Sequence, residues 1–217
     1  EETFAYLNTA YPCLNEKQLA IGETTITGRK ELQNANGLFL IEELERVALQ
    51  RCSTARDAIK LIGRLSELYG YGDDGECITI ADKKEVWQLE IFGSGPGKPS
   101  SIWVAQRIPD EHVGISANIP RISTVNFNDQ DNFMYSSDIK ERTKKLGFWN
   151  GTDEFKFWKV SSGSKPFSYR EYFVFNTLAP SLQLKFNSEE LPFSIKPDKK
   201  VSVRDVMALY RETYEGT

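Results

Sequence analysis

A few residues in this chain stand out by type and position for the chemistry they could do. The first candidates are an asparagine at the end of an apolar run, three cysteines and one histidine. Asn118 follows the run 113–117 and stands two residues before Pro120. Pro120 pushes Ile119 toward extended backbone, so a polar amide stands just ahead of an X-Pro step, where a buried strand runs out. That placement is unusual and sets Asn118 apart from the other amides. Cys13, Cys52 and Cys77 have neither the even count nor the spacing of a disulfide framework or a zinc site. Cys52 ends a helical pattern and Cys77 lies in a strand-like run, where a thiol behaves as a small hydrophobe. His112 is the single histidine, so a multi-histidine metal site is excluded within these residues. A Cys–His or Ser–His pair would have to use this one residue, between a turn and a strand. The glycines form no GxGxxG, and the segment 93–97 (GSGPG) lacks the Lys-Ser/Thr ending of a phosphate loop. No cofactor and no metal is therefore expected.

The elements that must position these residues are legible as patterns. Residues 3–11 read as a strand, 12–17 as a turn and 18–27 as the next strand, together a hairpin. Gly22 in that second strand suggests a bulge or a close approach. Beside it, Glu23, Thr24 and Thr25 suit a solvated strand face and a site role equally. Apolar residues at helical spacing follow over 38–51. A second helix opens at Thr54 with Asp57 three residues on, and stops at Gly70. The runs 77–81, 86–92, 102–108 and 113–117 then predict four consecutive antiparallel strands, the last three as a meander. Beyond residue 122 a short charged helix is expected over 136–146. An aromatic-rich region follows from Phe155 to Phe175, then an irregular stretch over 180–197 and a last helix from Ser202 or Val203. Strands, two helices and then a run of strands predict an α+β fold with antiparallel sheets. We expect one partial domain over 1–217, with 144–166 as an insertion or loop.

Composition narrows the function classes. The chain has 217 residues, 40% hydrophobic and 27% charged, with a formal net charge of -4. That balance leaves no basic footprint for nucleic acid, and no apolar run approaches the roughly 20 residues of a membrane span. The opening Glu-Glu-Thr-Phe-Ala-Tyr reads like the middle of a strand, and Glu215-Gly216-Thr217 ends a helix abruptly. The expectation is an internal fragment whose N- and C-terminal flanks are missing. Compartment and self-association are left open by the sequence.

Larger motifs carry a resemblance. The segment 14–25 (LNEKQLAIGETT) with 28–32 (GRKEL) resembles the signature of the dipeptidase A family, N-terminal-nucleophile hydrolases similar to bile-salt hydrolases and penicillin V acylases. Residues 41–51 and 54–71, 87–90 with 103–110, 113–122 (VGISANIPRI) and 201–217 (VSVRDVMALYRETYEGT) resemble further parts of the same family. The resemblance covers most of the chain apart from about 144–166. It departs at Lys17-Gln18, where His-Gly is commoner, and at Cys13, where a small residue is usual.

What the resemblance implies is an αββα fold, two antiparallel sheets between helix layers, that cleaves dipeptides. The nucleophile would be the thiol of a cysteine exposed at a processed N-terminus, lying upstream of Glu1. A terminal amine, with a pKa of about 8, can take the thiol proton itself, so no histidine is required. Asn118 matches the asparagine that stabilises the oxyanion in the relatives. Glu23 and Thr25 lie where the relatives contact substrate, and Arg121 is a candidate for a substrate carboxylate, against a plainer reading as a surface arginine. The chain as given is then expected to be inactive. The contrasting class is a non-catalytic binding module with the same fold, and a third reading pairs Cys13 with His112.

Overall fold

The computed structural model describes residues 2–163, 165–188 and 190–213. The expectations for Glu1 and for the end at Glu215-Gly216-Thr217 lie outside them. Among the described residues a seven-stranded sheet, antiparallel throughout, forms the frame. Its strands are β1 (Tyr6–Asn8), β2 (Pro12–Asn15), β3 (Ala20–Thr25), β4 (Glu76–Ala81), β5 (Val86–Gly93), β6 (Ser101–Ile108) and β8 (Phe133–Tyr135), in that spatial order. With the helices below, this is the expected α+β class.

Two helices cover one face, α1 (Ile41–Arg51) and α2 (Ala55–Tyr69). Thr54 caps α2 by accepting the Asp57 N–H at 3.2 Å, and Gly70 ends it at φ 87, as the sequence predicts. Ala55, Ala58, Ile59 and Ile62 of α2 are fully buried against Ile78, Ile80, Trp87, Leu89 and Ile91 of the sheet. Each fully buried aliphatic side chain contributes about 1.5–3 kcal/mol. Gly63 lets α2 sit down on Trp103, because a Cβ there would lie 2.3 Å from the indole. The ring cannot swing away freely, since its Nε1 donates to Glu67 at 2.9 Å. Gly63→Ala should therefore destabilise the fold by about 1–3 kcal/mol through overpacking, despite the better helix propensity of alanine. Urea unfolding checks this, and a stabilised variant would contradict it.

Strand alternation sends β4 and β5 residues of opposite parity to the other face. Cys77, Phe92, Ile102 and Val104 pack there against Ile122, Val125, Phe155 and Phe157. The stretch 144–166, expected as an insertion or loop, holds α4 (Phe157–Ser161), whose Phe157, Trp158 and Val160 are buried in or beside this second core. The charged helix is α3 (Ile139–Lys145), shorter than 136–146 because Ser136 is spent on the Trp103 N–H instead of a cap. The aromatic stretch includes α5 (Tyr169–Leu178), and the last helix is α6 (Val203–Leu209), capped by Ser202 with Asp205.

Two expectations are corrected. Pro12 does not open a turn but β2, and the turn falls at Glu16-Lys17, where the Asn15 side chain accepts from Lys17 N and Leu19 N at 3.0 Å each. The run 113–117 is not the third strand of the meander. Only β7 (Val113–Gly114) is a strand, and it pairs with β9 (Ser194–Ile195) in a separate sheet. The free edge of β6 is taken by β8, with Val104 opposite Tyr135. The run after Gly114 is thereby released from the main sheet and brings Asn118 across it.

Candidate active site

Asn118 sits in the left-handed region at φ 56, a conformation asparagine tolerates better than most side chains. It is exposed, yet its side chain is clamped. Nδ2 donates to the Thr25 carbonyl at 2.8 Å, and Oδ1 accepts from Arg170 Nη2 at 3.0 Å. Arg170 Nη2 also donates to the Ala117 carbonyl at 2.7 Å. An amide nitrogen carries two hydrogens, so one N–H remains to meet an acceptor. Two residues earlier, Ser116 Oγ hydrogen-bonds Thr24 Oγ1, tying this segment to β3.

Beneath the exposed amide the chain is pinned by buried charge. Glu90 of β5 accepts the N–H of Arg121 and, at 3.0 Å, that of Ile122. Arg121 turns its guanidinium inward to an ion pair with Glu171 of α5 and donates to the Pro192 carbonyl at 2.5 Å. Glu90, Arg121 and Glu171 are 0%, 3% and 0% exposed. Burial pushes the Glu90 carboxyl up to about 7, against the pull of the Arg121 and Ile122 N–H groups and the Arg121 charge. It likewise pushes Glu171 up to about 7, with Arg121 opposing and Glu90 reinforcing. The reading of Arg121 as a surface arginine is corrected: the turn after Pro120 carries it into the interior.

A cleft of about 420 Å³ opens beside this group, lined by Val113, Ser116, Ala117, Arg170, Val174 and Tyr210 among others. It is mostly apolar, with one guanidinium at its wall and a volume in the range of small-molecule sites. A larger depression of about 780 Å³ lies elsewhere, against α2 and Trp103, and includes none of these residues.

The expected site residues divide. Asn118 and Thr25 meet, but through the Thr25 carbonyl. The side chains of Glu23 and Thr25 share the parity of Ile21 and point to the helix-covered face, where Glu76 stands opposite Thr25. Burial and the Glu23 carboxylate push Glu76 up to about 9. Thr24 is the side chain of β3 that faces Ser116. Parity along the strand already carried that signal, since Ile21 reads as core. Glu90, a lone acid inside the apolar run 86–92, was a legible oddity. Arg170 and Glu171 had no local signal.

The thiols are placed away from activation. Cys77 is buried beside Ser116, and burial, then Glu90, pushes its pKa far up. Burial takes Cys52 to about 11. Cys13 Sγ contacts the Leu7 carbonyl at 3.6 Å, whereas His112 Nδ1 pairs with Ser194 Oγ at 3.0 Å, so the proposed Cys13–His112 pair does not form. No group of acids, histidines and cysteines among the described residues has the arrangement to hold a metal ion.

The amide of Asn118 is thus exposed and clamped, next to Ala117 and Arg170 of a mostly apolar cleft. The chain belongs to peptidase family C69, whose model matches residues 2–217. It is 30% identical over 215 residues to a probable dipeptidase of Latilactobacillus sakei, covering 94% of this chain and 44% of that protein. It is 31% identical over 183 residues to a probable dipeptidase of Salmonella dublin, covering 81% and 41%. With dipeptidase A of Lactobacillus helveticus it shares 26% over 182 residues, 81% of this chain and 37% of the relative. The chain thus spans less than half the length of these relatives.

Proposed function

We propose that these residues form the oxyanion and substrate-binding part of a cysteine amidohydrolase of the N-terminal-nucleophile type that cleaves dipeptides. The observation that supports this reading is the Asn118 amide, held between Thr25 and Arg170 with an N–H to spare, next to Ala117 and Arg170, which line the cleft. A thiol from outside these 217 residues attacks the peptide carbonyl, its proton passing to its own α-amine. The carbonyl oxygen becomes an oxyanion and accepts from Asn118 Nδ2. The ammonium returns the proton to the departing amine, and water then hydrolyses the thioester. Arg121 is committed to Glu171 in the interior, so we assign the substrate carboxylate to Arg170, whose guanidinium lines the cleft. On the β3 side, Thr24 and the Thr25 carbonyl take the place expected of the Glu23 and Thr25 side chains.

Membership of a peptidase family gives a binding module no support. The test is hydrolysis of unblocked dipeptides by the full-length protein and by the 217-residue chain. We expect turnover from the former, abolished by iodoacetamide, and none from the latter. Turnover by the shorter chain that survives purification, or activity indifferent to alkylation, would overturn the proposal.

A further inference from the structure

The three buried charges under Asn118 do more than fill space. Counted fully ionised, Glu90, Arg121 and Glu171 comprise two carboxylates and one guanidinium, a net negative charge in the interior. Burying unbalanced charge is costly enough that a group in this position gives up its ionisation. Glu90 Oε2 and Glu171 Oε2 have no hydrogen-bond partner, so either oxygen has room to carry a proton. The other titratable group packed close by is the Cys77 thiol of β4, which burial keeps neutral. Arg121 faces both carboxyls, and the Glu90 charge also bears on Glu171.

The connections from this group run in a closed path. Glu90 holds the backbone N–H groups of residues 121 and 122, just downstream of Asn118. Arg121 holds Glu171. The next residue back along α5 is Arg170, which turns outward and grips both the Asn118 Oδ1 and the Ala117 carbonyl. Asn118 is thus fixed from its chain on one side and from α5 on the other. Its φ of 56 is a conformation that such double restraint maintains.

We propose that Glu90, Arg121 and Glu171 form a proton-holding strut that positions the Asn118 amide, and that the ionisation state of the strut sets the rate of the acyl-transfer step. Its consequence for rate rests on the reading of Asn118 as oxyanion donor; its consequence for geometry does not. Both carboxyls lie near 7, above the ordinary carboxylate range. Below that pH at least one carboxyl keeps its proton, so no pair of carboxylates stands against the one guanidinium. As pH rises through about 7 the proton leaves, the two carboxylates repel, and the grip that α5 exerts through Arg170 weakens. Glu90, Arg121 and Glu171 are positioning residues, since none of them touches the cleft.

The test pairs pH–rate profiles with an activity-independent signal in the full-length protein. In Glu171→Gln a single carboxyl, Glu90, is left with Arg121, so its ionisation creates no repelling carboxylate pair and the fall in kcat above neutral pH expected of the wild type should vanish, with KM within about twofold. Glu171→Leu, which releases Arg121, should lower kcat about 10- to 100-fold at all pH values. The side-chain amide resonance of Asn118, followed by NMR, should move between about pH 6 and 8 in the wild type and move clearly less in Glu171→Gln. Should Glu171→Gln fail to fold, Glu90→Gln removes the other carboxyl and carries the same expectations. A profile of either variant that superposes on the wild type, with an Asn118 resonance that titrates unchanged, overturns the strut. A protein that hydrolyses no dipeptide but whose Asn118 resonance titrates through the strut would instead overturn the proposed reaction alone.

Discussion

Asn118→Ala should lower kcat of the full-length protein by about 100- to 1000-fold with little change in KM. The size follows from the role: one preorganised donor aimed at an oxyanion contributes on the order of 3–4 kcal/mol, and only in the transition state. The amide is exposed, so its removal leaves no buried cavity, and the fold should survive. Two neighbours lose a partner, the Thr25 carbonyl and Arg170. Alanine tolerates φ 56 less well than asparagine, so a control is needed. Asn118→Asp supplies it, because aspartate also accepts the left-handed conformation and still accepts from Arg170. It lacks the N–H and sets a negative charge against the oxyanion. Both variants should be slow if the amide is the donor. If Asn118→Ala is slow and Asn118→Asp is within about threefold of the wild type, the effect is backbone strain and the donor role is lost.

The second large effect concerns stability. Glu45 of α1 is 0% exposed, and neither of its carboxylate oxygens has a hydrogen-bond partner. Burial, with the repulsion of Glu23 and Glu42, pushes its carboxyl up to about 8. The folded pKa is above the unfolded value of 4.5, so between the two the folded chain binds a proton that the unfolded chain does not. Stability is therefore greatest in the acid range, falls as pH rises past the unfolded value, and levels off above about 8. Each pK unit is about 1.4 kcal/mol, so the cost approaches about 3–4 kcal/mol near neutral to mildly alkaline pH. Glu45→Met, similar in length and apolar, should raise the free energy of unfolding in urea by about 2–4 kcal/mol at pH 8. The gain should shrink to about 1 kcal/mol near pH 4, where both states carry the proton. A gain that does not change with pH would show that Glu45 does not hold a raised carboxyl. Glu76, pushed up to about 9 by burial and by Glu23, should keep some of the alkaline decline in the variant.

Much of the frame was legible because its signals are local. A threonine followed three residues on by an acid starts α2, a glycine at positive φ ends it, and short β-branched runs mark β4, β5 and β6. The error over 113–117 is instructive. An apolar run announces a strand but not which edge it will pair with, and β8, just three residues long and set in a polar stretch, won the edge of β6. Arg121 failed for a related reason. Its neighbours in sequence gave no hint that Glu171, fifty residues away, would meet it in the interior.

By itself the sequence determined the α+β class, the two covering helices, the peptidase family and Asn118 as the residue to watch, because residue types, periodicity and motif carry those properties. Tertiary structure alone decided which side chains surround that amide. It set Thr24 facing Ser116 while Glu23 and Thr25 turn to the helices, brought Arg170 to Asn118, and buried Arg121 between Glu90 and Glu171. The physical reason is that these contacts depend on strand parity and on segments packed across long loops, where the cost of burying a charge is settled only once its partner has arrived.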